Sequence, residues 1–513
     1  MRTTVEATLR RWGDKKILWG LLLMSLATHS FNMFSYPLYL GDEGIYMEQA
    51  WAVLRLGKLA PYTYFYDHAP AGWLLLALWT LALPQGFHTF GMVVNSGRVL
   101  MLLLHLASVV LLFRITRTLS GSLLAATAGV LMFSLSPLSV YYQRMVLLDN
   151  IMVFWLLLSL DLLLHHGSRL MKVLASAAAL GVAILTKENA IFFLPVMVYL
   201  MISSNKVEHL KRFATAGWAF TLIMVVSIYP LYALLKNELL PPQVGFIINS
   251  APAEHVSLIG TIGWQLQRSG GGILDPYSQF WYFFWQKWWA KDSVIIVAGV
   301  AASLLNLGAG YLLRRANYVV ISVLCLSFAL YLARGSVMLE FYVVPILPFL
   351  GMNFGLLLAL LLGRMPAALG IPALVVGLAA MVVVFVYTAR DDYLINLTQL
   401  QQEQLAWIRE NIPPSAVLVV DDDLWTDLHD PGGGGQIYPR AHSHWKVAQD
   451  PAVQVQALHN DWRNVDYLIM SNKMVQTFNE GNEKLPLEIY AHSEMVAAFA
   501  NGDVQLYIRK VVK

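Results

Sequence analysis

Eleven stretches of this chain are apolar over most or all of the roughly 20 residues that a helix needs to cross a hydrocarbon core. They lie around residues 17–40, 91–113, 121–142, 148–165, 173–186, 190–203, 213–236, 292–313, 316–333, 340–362 and 369–388. A twelfth stretch, 71–83, is shorter and ends at Pro84-Gln85-Gly86, which reads as a juxtamembrane segment. Only 13% of the 513 residues are charged, against about 25% in soluble domains. A disordered chain and a single water-soluble domain are both excluded. The expected fold is a polytopic α-helical membrane protein of about 11–13 transmembrane helices, followed by a C-terminal α/β domain outside the cytoplasm.

Charge placement divides the chain in two. Residues 390–513 hold 27 of the 67 charges and are acidic, with 10 basic and 17 acidic side chains; residues 1–389 hold 25 basic and 15 acidic ones. The expected units are therefore 1–389 and 390–513. The first apolar run follows Arg10, Arg11, Lys15 and Lys16 and exceeds a signal-peptide core, so it is expected to remain as an anchor. With the N-terminus cytoplasmic and 71–83 not crossing, the inside loops receive Arg114 and Arg117, the 165–172 cluster, Lys206 to Arg212, Arg314-Arg315 and Arg364. Nearly every basic loop then lies on one side, as the positive-inside rule requires. The outer side receives 41–90, a short loop near 143–148, the long 237–291 segment and the tail.

Several function classes drop out. Nucleic-acid binding needs a clustered basic face, which a membrane part with an acidic tail does not offer. The single cysteine, Cys325, lies in an apolar run, so neither an intrachain disulfide nor a thiolate metal cluster can form. In the tail, 398–412 has helical apolar spacing, and 416–420, 465–470, 487–490 and 504–508 read as strands. Gly432 to Gly435 lack a following Lys-Ser or Lys-Thr and read as a loop rather than a phosphate cradle. Trp264, Trp281, Trp285, Trp288 and Trp289 in the 237–291 segment suit an interfacial aromatic belt, with a sugar-stacking platform as the other reading.

Ionisable groups at a membrane are costly and mark function by default. Here they gather on the outer side: Asp42 and Glu43 in a Gly-Asp-Glu-Gly turn, Asp67-His68-Ala69-Pro70, Ser136-Pro137 ahead of Arg144 and Asp149, Thr186-Lys187-Glu188, then Arg334 and Glu340-Phe341-Tyr342. A lipid phosphate at the membrane needs cations drawn from several helices, and an acceptor hydroxyl attacking an anomeric carbon needs a carboxylate base. One carboxylate suffices for an inverting transfer, because phosphate leaves without a strong acid; glycoside hydrolysis uses a pair.

In that order, these motifs resemble the C-type glycosyltransferases, in the branch of protein O-mannosyltransferases and lipid A aminoarabinose transferases. The resemblance runs over nearly the whole chain. It implies a polyprenyl-phosphate sugar donor, an acceptor hydroxyl on protein, lipid or glycan, Asp42 as general base, Glu43 shaping the acceptor site, and Asp149 as a second functional aspartate. Lys187 matches the threonine-lysine motif and His68 a position that can meet the lipid phosphate. Two departures stand out: Ala69 replaces the first proline of a pair, and Glu188 stands where glycine is common, with an ion pair to Lys187 as its expected effect. Arg144 and Arg334 are phosphate candidates by charge and side, with snorkelling to headgroups as the alternative, and Tyr342 is a further substrate-side candidate. No metal and no cofactor are expected. The implied setting is a bacterial plasma membrane. Two other classes stay open: a secondary transporter, which predicts broken helices in repeated halves, and a non-catalytic envelope assembly factor, in which the charged loop residues are dispensable.

Overall fold

A computed structural model describes residues 4–167, 169–204, 208–241, 256–481 and 483–513. Helices occupy all eleven expected positions, from Asp14–Ser30 to Ala367–Thr388. The longest, Val93–Ser120 and Glu208–Leu235, have 28 residues each, about 42 Å at 1.5 Å per residue. Ala367–Thr388 turns Val375, Val376, Val383, Val386 and Tyr387 outward. That surface is stable against lipid tails. Ala71–Leu81 has 11 residues, about 16 Å, roughly half a hydrocarbon core.

Two expected spans are modified by proline. The run at 121–142 is two helices, Leu123–Leu135 and Pro137–Gln143, bent by 62°. Pro137 has no N–H to continue the helix and forces Ser136 out of the α region, to φ −53° and ψ 125°. The run at 17–40 is helical only to Ser30, and Pro37 lies in the irregular segment that follows.

The basic loops around Arg114 and Arg117 and around Arg314-Arg315 meet at one end of the bundle, while Lys206 of the 206–212 loop lies outside the described residues. Arg117 pairs with Asp14 at 3.0 Å, Arg114 with Asp161 at 2.9 Å, and Asn317 donates to the Leu119 carbonyl at 3.0 Å. Glu6 accepts from the backbone N–H groups of Leu123 and Leu124. Between the ends, Leu123–Leu135 and Leu347–Leu362 touch backbone to backbone: a Cβ on Gly355 would lie 2.2 Å from the Ala125 oxygen. Only small residues permit that approach.

At the opposite end, Gly41-Asp42-Glu43-Gly44 opens a helix, Gly41–Leu56, rather than sitting in a loop. Beside it lies a five-stranded sheet ordered β2-β1-β3-β5-β4, with β1 Leu418–Val420, β2 Ala441–Ser443, β3 Tyr467–Ser471, β4 Ser493–Asn501 and β5 Val504–Val511. β1 pairs in parallel with β2 and β3, while β5 runs antiparallel to β3 and β4. The helix expected at 398–412 is Thr398–Asn411. Residues 487–490, expected as a strand, belong instead to the helix Lys484–Ala491. There Leu485 and Ile489, four apart, are buried on one face, a helical spacing that overrides the short apolar run.

The sheet reaches the membrane part through the helix Asp422–His429, which packs on Gly41–Leu56. A Cβ at Gly44 would lie 2.2 Å from the Asp422 oxygen, so glycine there sets the separation of the two helices. Gly44→Ala is expected to lower stability by roughly 1–3 kcal/mol through overpacking, measured by thermal unfolding in detergent. Gly20→Ala, where a Cβ meets nothing within 4 Å, should not.

Candidate functional site

The adjacent acids Asp42 and Glu43 have different surroundings. Glu43 is fully buried and forms a fork with Arg98, Oε1 accepting from Nε at 3.0 Å and Oε2 from Nη2 at 2.8 Å. It also accepts from the backbone N–H of Leu40 at 3.0 Å and of Val146 at 2.8 Å. Arg98 spends a further nitrogen on the Met33 and Pro37 carbonyls. This carboxylate joins the end of the first span, the first-loop helix, the span Val93–Ser120 and the 143–148 loop.

Asp42, one residue earlier in the helix, has Lys187, Lys473, His68 and Asp149 as its charged neighbours. Burial raises its carboxyl above the ordinary aspartate range, against the pull of the three cations. A raised carboxylate is a better proton acceptor. Tyr46, one turn further along the same helix, faces Asp42, Asp149, Tyr342 and Glu188. It becomes legible once 41–56 is known to be helical, since Asp42 and Tyr46 are then i and i+4.

Asp149 and Lys187 form a buried pair, Nζ to Oδ2 at 2.6 Å. They come from the ends of two spans, Leu148–Leu164 and Leu170–Thr186, that face the sheet side of the bundle. The ammonium lies over the rings of Tyr342 at 4.5 Å and Phe341 at 5.0 Å. The other carboxylate oxygen, Asp149 Oδ1, is buried without a hydrogen-bond partner. An ammonium has three donors, so one on Asp149 leaves two for a ligand.

Glu188 does not pair with Lys187. It turns to the segment before Ala71–Leu81, accepting from the Ala69 N–H at 2.7 Å and meeting His68 Nδ1 at 3.1 Å. Burial disfavours charge on His68, but the hydrogen bond and charge of Glu188 outweigh it, so the imidazole pKa is raised. The residue in the glycine position thus arms the histidine rather than restraining the lysine.

The structure draws together Asp42, His68, Asp149, Lys187 and Tyr342. Arg334 lies one ring away, its guanidinium 3.7 Å over Tyr331, whose ring is 6.5 Å from that of Tyr342. Arg144 has a separate set of partners, donating to the Asp392 carbonyl at 2.8 Å and the Thr28 carbonyl at 2.7 Å. Lys473, from the C-terminal sheet region, is a neighbour of Asp42 that sequence reasoning did not single out. In the 237–291 segment, Trp281, Trp285 and Trp289 follow one another with ring centroids 6.1 and 5.4 Å apart, while Trp288 is buried and donates to the Glu340 carbonyl. Residues 242–255 of that segment fall outside the described residues.

The two neighbouring acids should separate experimentally. Glu43→Gln is expected to destabilise the protein by about 3–5 kcal/mol, the cost of stranding one member of a buried ion pair. Asp42→Asn should unfold at or above the wild-type temperature, because it removes a carboxylate that burial already disfavours. Thermal unfolding in detergent checks both.

Comparison with known proteins bears on this arrangement. Residues 67–233 match the model of the dolichyl-phosphate-mannose-protein mannosyltransferase family. Among solved structures, the chain is similar to ArnT from Cupriavidus metallidurans bound to undecaprenyl phosphate, with a TM-score of 0.60, 14% identity, and coverage of 98% of this chain and 99% of that one. It is also similar to the oligosaccharyltransferase AglB from Archaeoglobus fulgidus in complex with an inhibitory peptide and a dolichol-phosphate, at TM-score 0.59 and 10% identity over 97% of this chain and 74% of that one. A third is the arabinofuranosyltransferase AftD from Mycobacteria, at TM-score 0.50 and 14% identity over 98% and 40%. No curated protein sequence matches significantly. The fold is that of the C-type glycosyltransferases, similar to ArnT and, over residues 67–233, to the protein mannosyltransferases.

Proposed function

We propose that this chain, with its C-type glycosyltransferase fold, moves a sugar from a polyprenyl-phosphate donor to an acceptor hydroxyl at the outer face of a membrane. The observation that carries this reading is the meeting of one buried lysine, a histidine held against Glu188 and two carboxylates at one set of helix ends. Lys187, held by Asp149 and backed by Tyr342, takes the donor phosphate, with His68 as a second cation. Asp42 accepts the proton of the acceptor hydroxyl. The acceptor oxygen then bonds to the anomeric carbon from the face opposite the phosphate. The carbon–oxygen bond to phosphate breaks, its electron pair leaving with polyprenyl phosphate, and the configuration inverts.

The orientation follows from charge. The end holding Arg10, Arg114 and Arg117 takes the cytoplasmic side under the positive-inside rule, which places the N-terminus inside and the sheet outside, as in a bacterial plasma membrane. The undecaprenyl and dolichol phosphates named in the ArnT and AglB structures support a donor of the same chemistry. Acceptors of the three kinds, protein, lipid and glycan, remain compatible with an outer-face hydroxyl site. A secondary transporter would carry its charges near the membrane midplane on discontinuous helices, whereas this cluster sits where helices begin and end.

Asp42→Asn should abolish transfer from a lipid-linked donor, with loss of at least about 100-fold expected for a general base, while polyprenyl phosphate still binds. Full transfer by that variant would sink the assignment. The His68–Glu188 pair adds a pH dependence. His68 is charged below its raised pKa and neutral above it, so its share of donor affinity is complete below about pH 6.5 and disappears as pH rises through the raised value. Glu188→Gln should move that loss to lower pH, read from donor-binding isotherms across a pH series.

A further inference from the structure

The C-terminal ends of the parallel strands hold a second group of polar side chains, apart from the one just described. Asp421 and Asp422 follow β1, and His444 follows β2, whose last residue Ser443 pairs in register with Val420. In open α/β sheets the carboxyl ends of parallel strands are where ligands bind. One ligand atom from each of Asp421, Asp422 and His444 lies within 4.8 Å of the others, and His444 Nδ1 is 3.7 Å from Asp422 Oδ2. That separation is too long for an O–H···N bond. It is close to the edge, about 3.4 Å, of a tetrahedron with 2.1 Å metal–ligand bonds.

Two further observations point to a missing positive partner. Asp422 is 2% exposed, yet its Oδ1 has no hydrogen-bond partner, and neither has the buried Nδ1 of His444. The surroundings are also strongly acidic. Glu48, Asp421 and Asp423 are the acidic charges acting on the Asp422 carboxyl. The buried lysine nearby, Lys446, is engaged with the Thr63 carbonyl at 2.9 Å and with Asp450 at 3.5 Å. Asp421 accepts from the Asp422 N–H at 3.0 Å and from Ser471 Oγ at 3.1 Å, which fixes its carboxylate at the rim.

We propose that Asp421, Asp422 and His444 bind one divalent transition-metal ion, zinc in preference to magnesium. Two carboxylates and an imidazole form the borderline oxygen and nitrogen set that zinc accepts, and manganese is its nearest competitor. The site's address gives it a role. A Cβ at Gly41, the residue before Asp42, would lie 3.5 Å from Asp422 Oδ2 and 3.6 Å from Asp421 Oδ1. The ion neutralises the acidic edge of the sheet where the helix bearing Asp42 rests on it. It is a positioning ion: Asp42 is not a ligand. Only this role, not the site itself, rests on the assignment of Asp42 as base.

The test uses the full-length, tag-free protein in detergent, stripped with chelator and dialysed against zinc, manganese or magnesium chloride, with bound metal measured by mass spectrometry. One zinc per chain is expected, with affinity falling at least 10-fold in both Asp422→Asn and His444→Gln, and magnesium binding weakly or not at all. Zinc should also raise the unfolding temperature of the wild type but not of Asp422→Asn, an isosteric replacement whose folding is checked by its unfolding temperature without metal. Asp42→Asn should keep its zinc while losing transfer, so failure of the catalytic reading and failure of the metal site are told apart. Absence of stoichiometric binding in the wild type, or binding untouched by both ligand substitutions, would overturn the proposal.

Discussion

A single buried carboxylate organises the end of the helix bundle that meets the sheet. Glu43 accepts four hydrogen bonds, two from Arg98 and one each from the backbones of Leu40 and Val146. An ion pair with no water access is stable only when its geometry is good and its remaining lone pairs are met, and here both conditions hold. The consequence is positional. Asp42 is the preceding residue in the same helix turn, so the fork that fixes Glu43 also constrains where Asp42 points. Rigid support in the neighbouring residue is what a preorganised site requires.

The second constraint is steric and comes from the other side of the same helix. Gly44 lets the Asp422–His429 helix approach at backbone distance. The sheet is further held by Arg55 on Asp430 at 2.8 Å and by Thr63 on Asp450 at 2.9 Å. The Asp430 carboxyl is held low, at about 2, because the His88 and Arg55 hydrogen bonds outweigh its burial. The Gly41–Leu56 helix is thus clamped between membrane helices and sheet, and both faces of its Gly-Asp-Glu-Gly start are used.

Much of this was legible in the sequence, for a physical reason. A membrane span is a run of about 20 apolar residues whatever its partners, so each of the eleven helices announces itself locally. The bend at Ser136-Pro137 was missed because a hydropathy reading averages over the proline. The segment 487–490 was misread because four apolar-rich residues do not distinguish a strand from a helix. Among the polar groups, the sequence indicated which charges share one end of the bundle but not how they pair. Asp149 and Lys187 are 38 residues apart, and His68 and Glu188 are 120 apart. No local pattern encodes such partners. The acids Asp421 to Asp423 belong to no motif read from the sequence, and their burial against the first-loop helix is what sets them apart.

The central claim is that a lipid phosphate is held at the Lys187 and His68 end of the bundle. The most direct measurement is cross-linking with a photoreactive polyprenyl phosphate, followed by mass-spectrometric mapping of the labelled peptides. Labelling is predicted to concentrate in residues 66–70, 185–192 and 338–345, and to be displaced by unlabelled polyprenyl phosphate. Saturable labelling at the opposite end of the bundle, around Arg114, Lys172 and Arg314, would contradict the account.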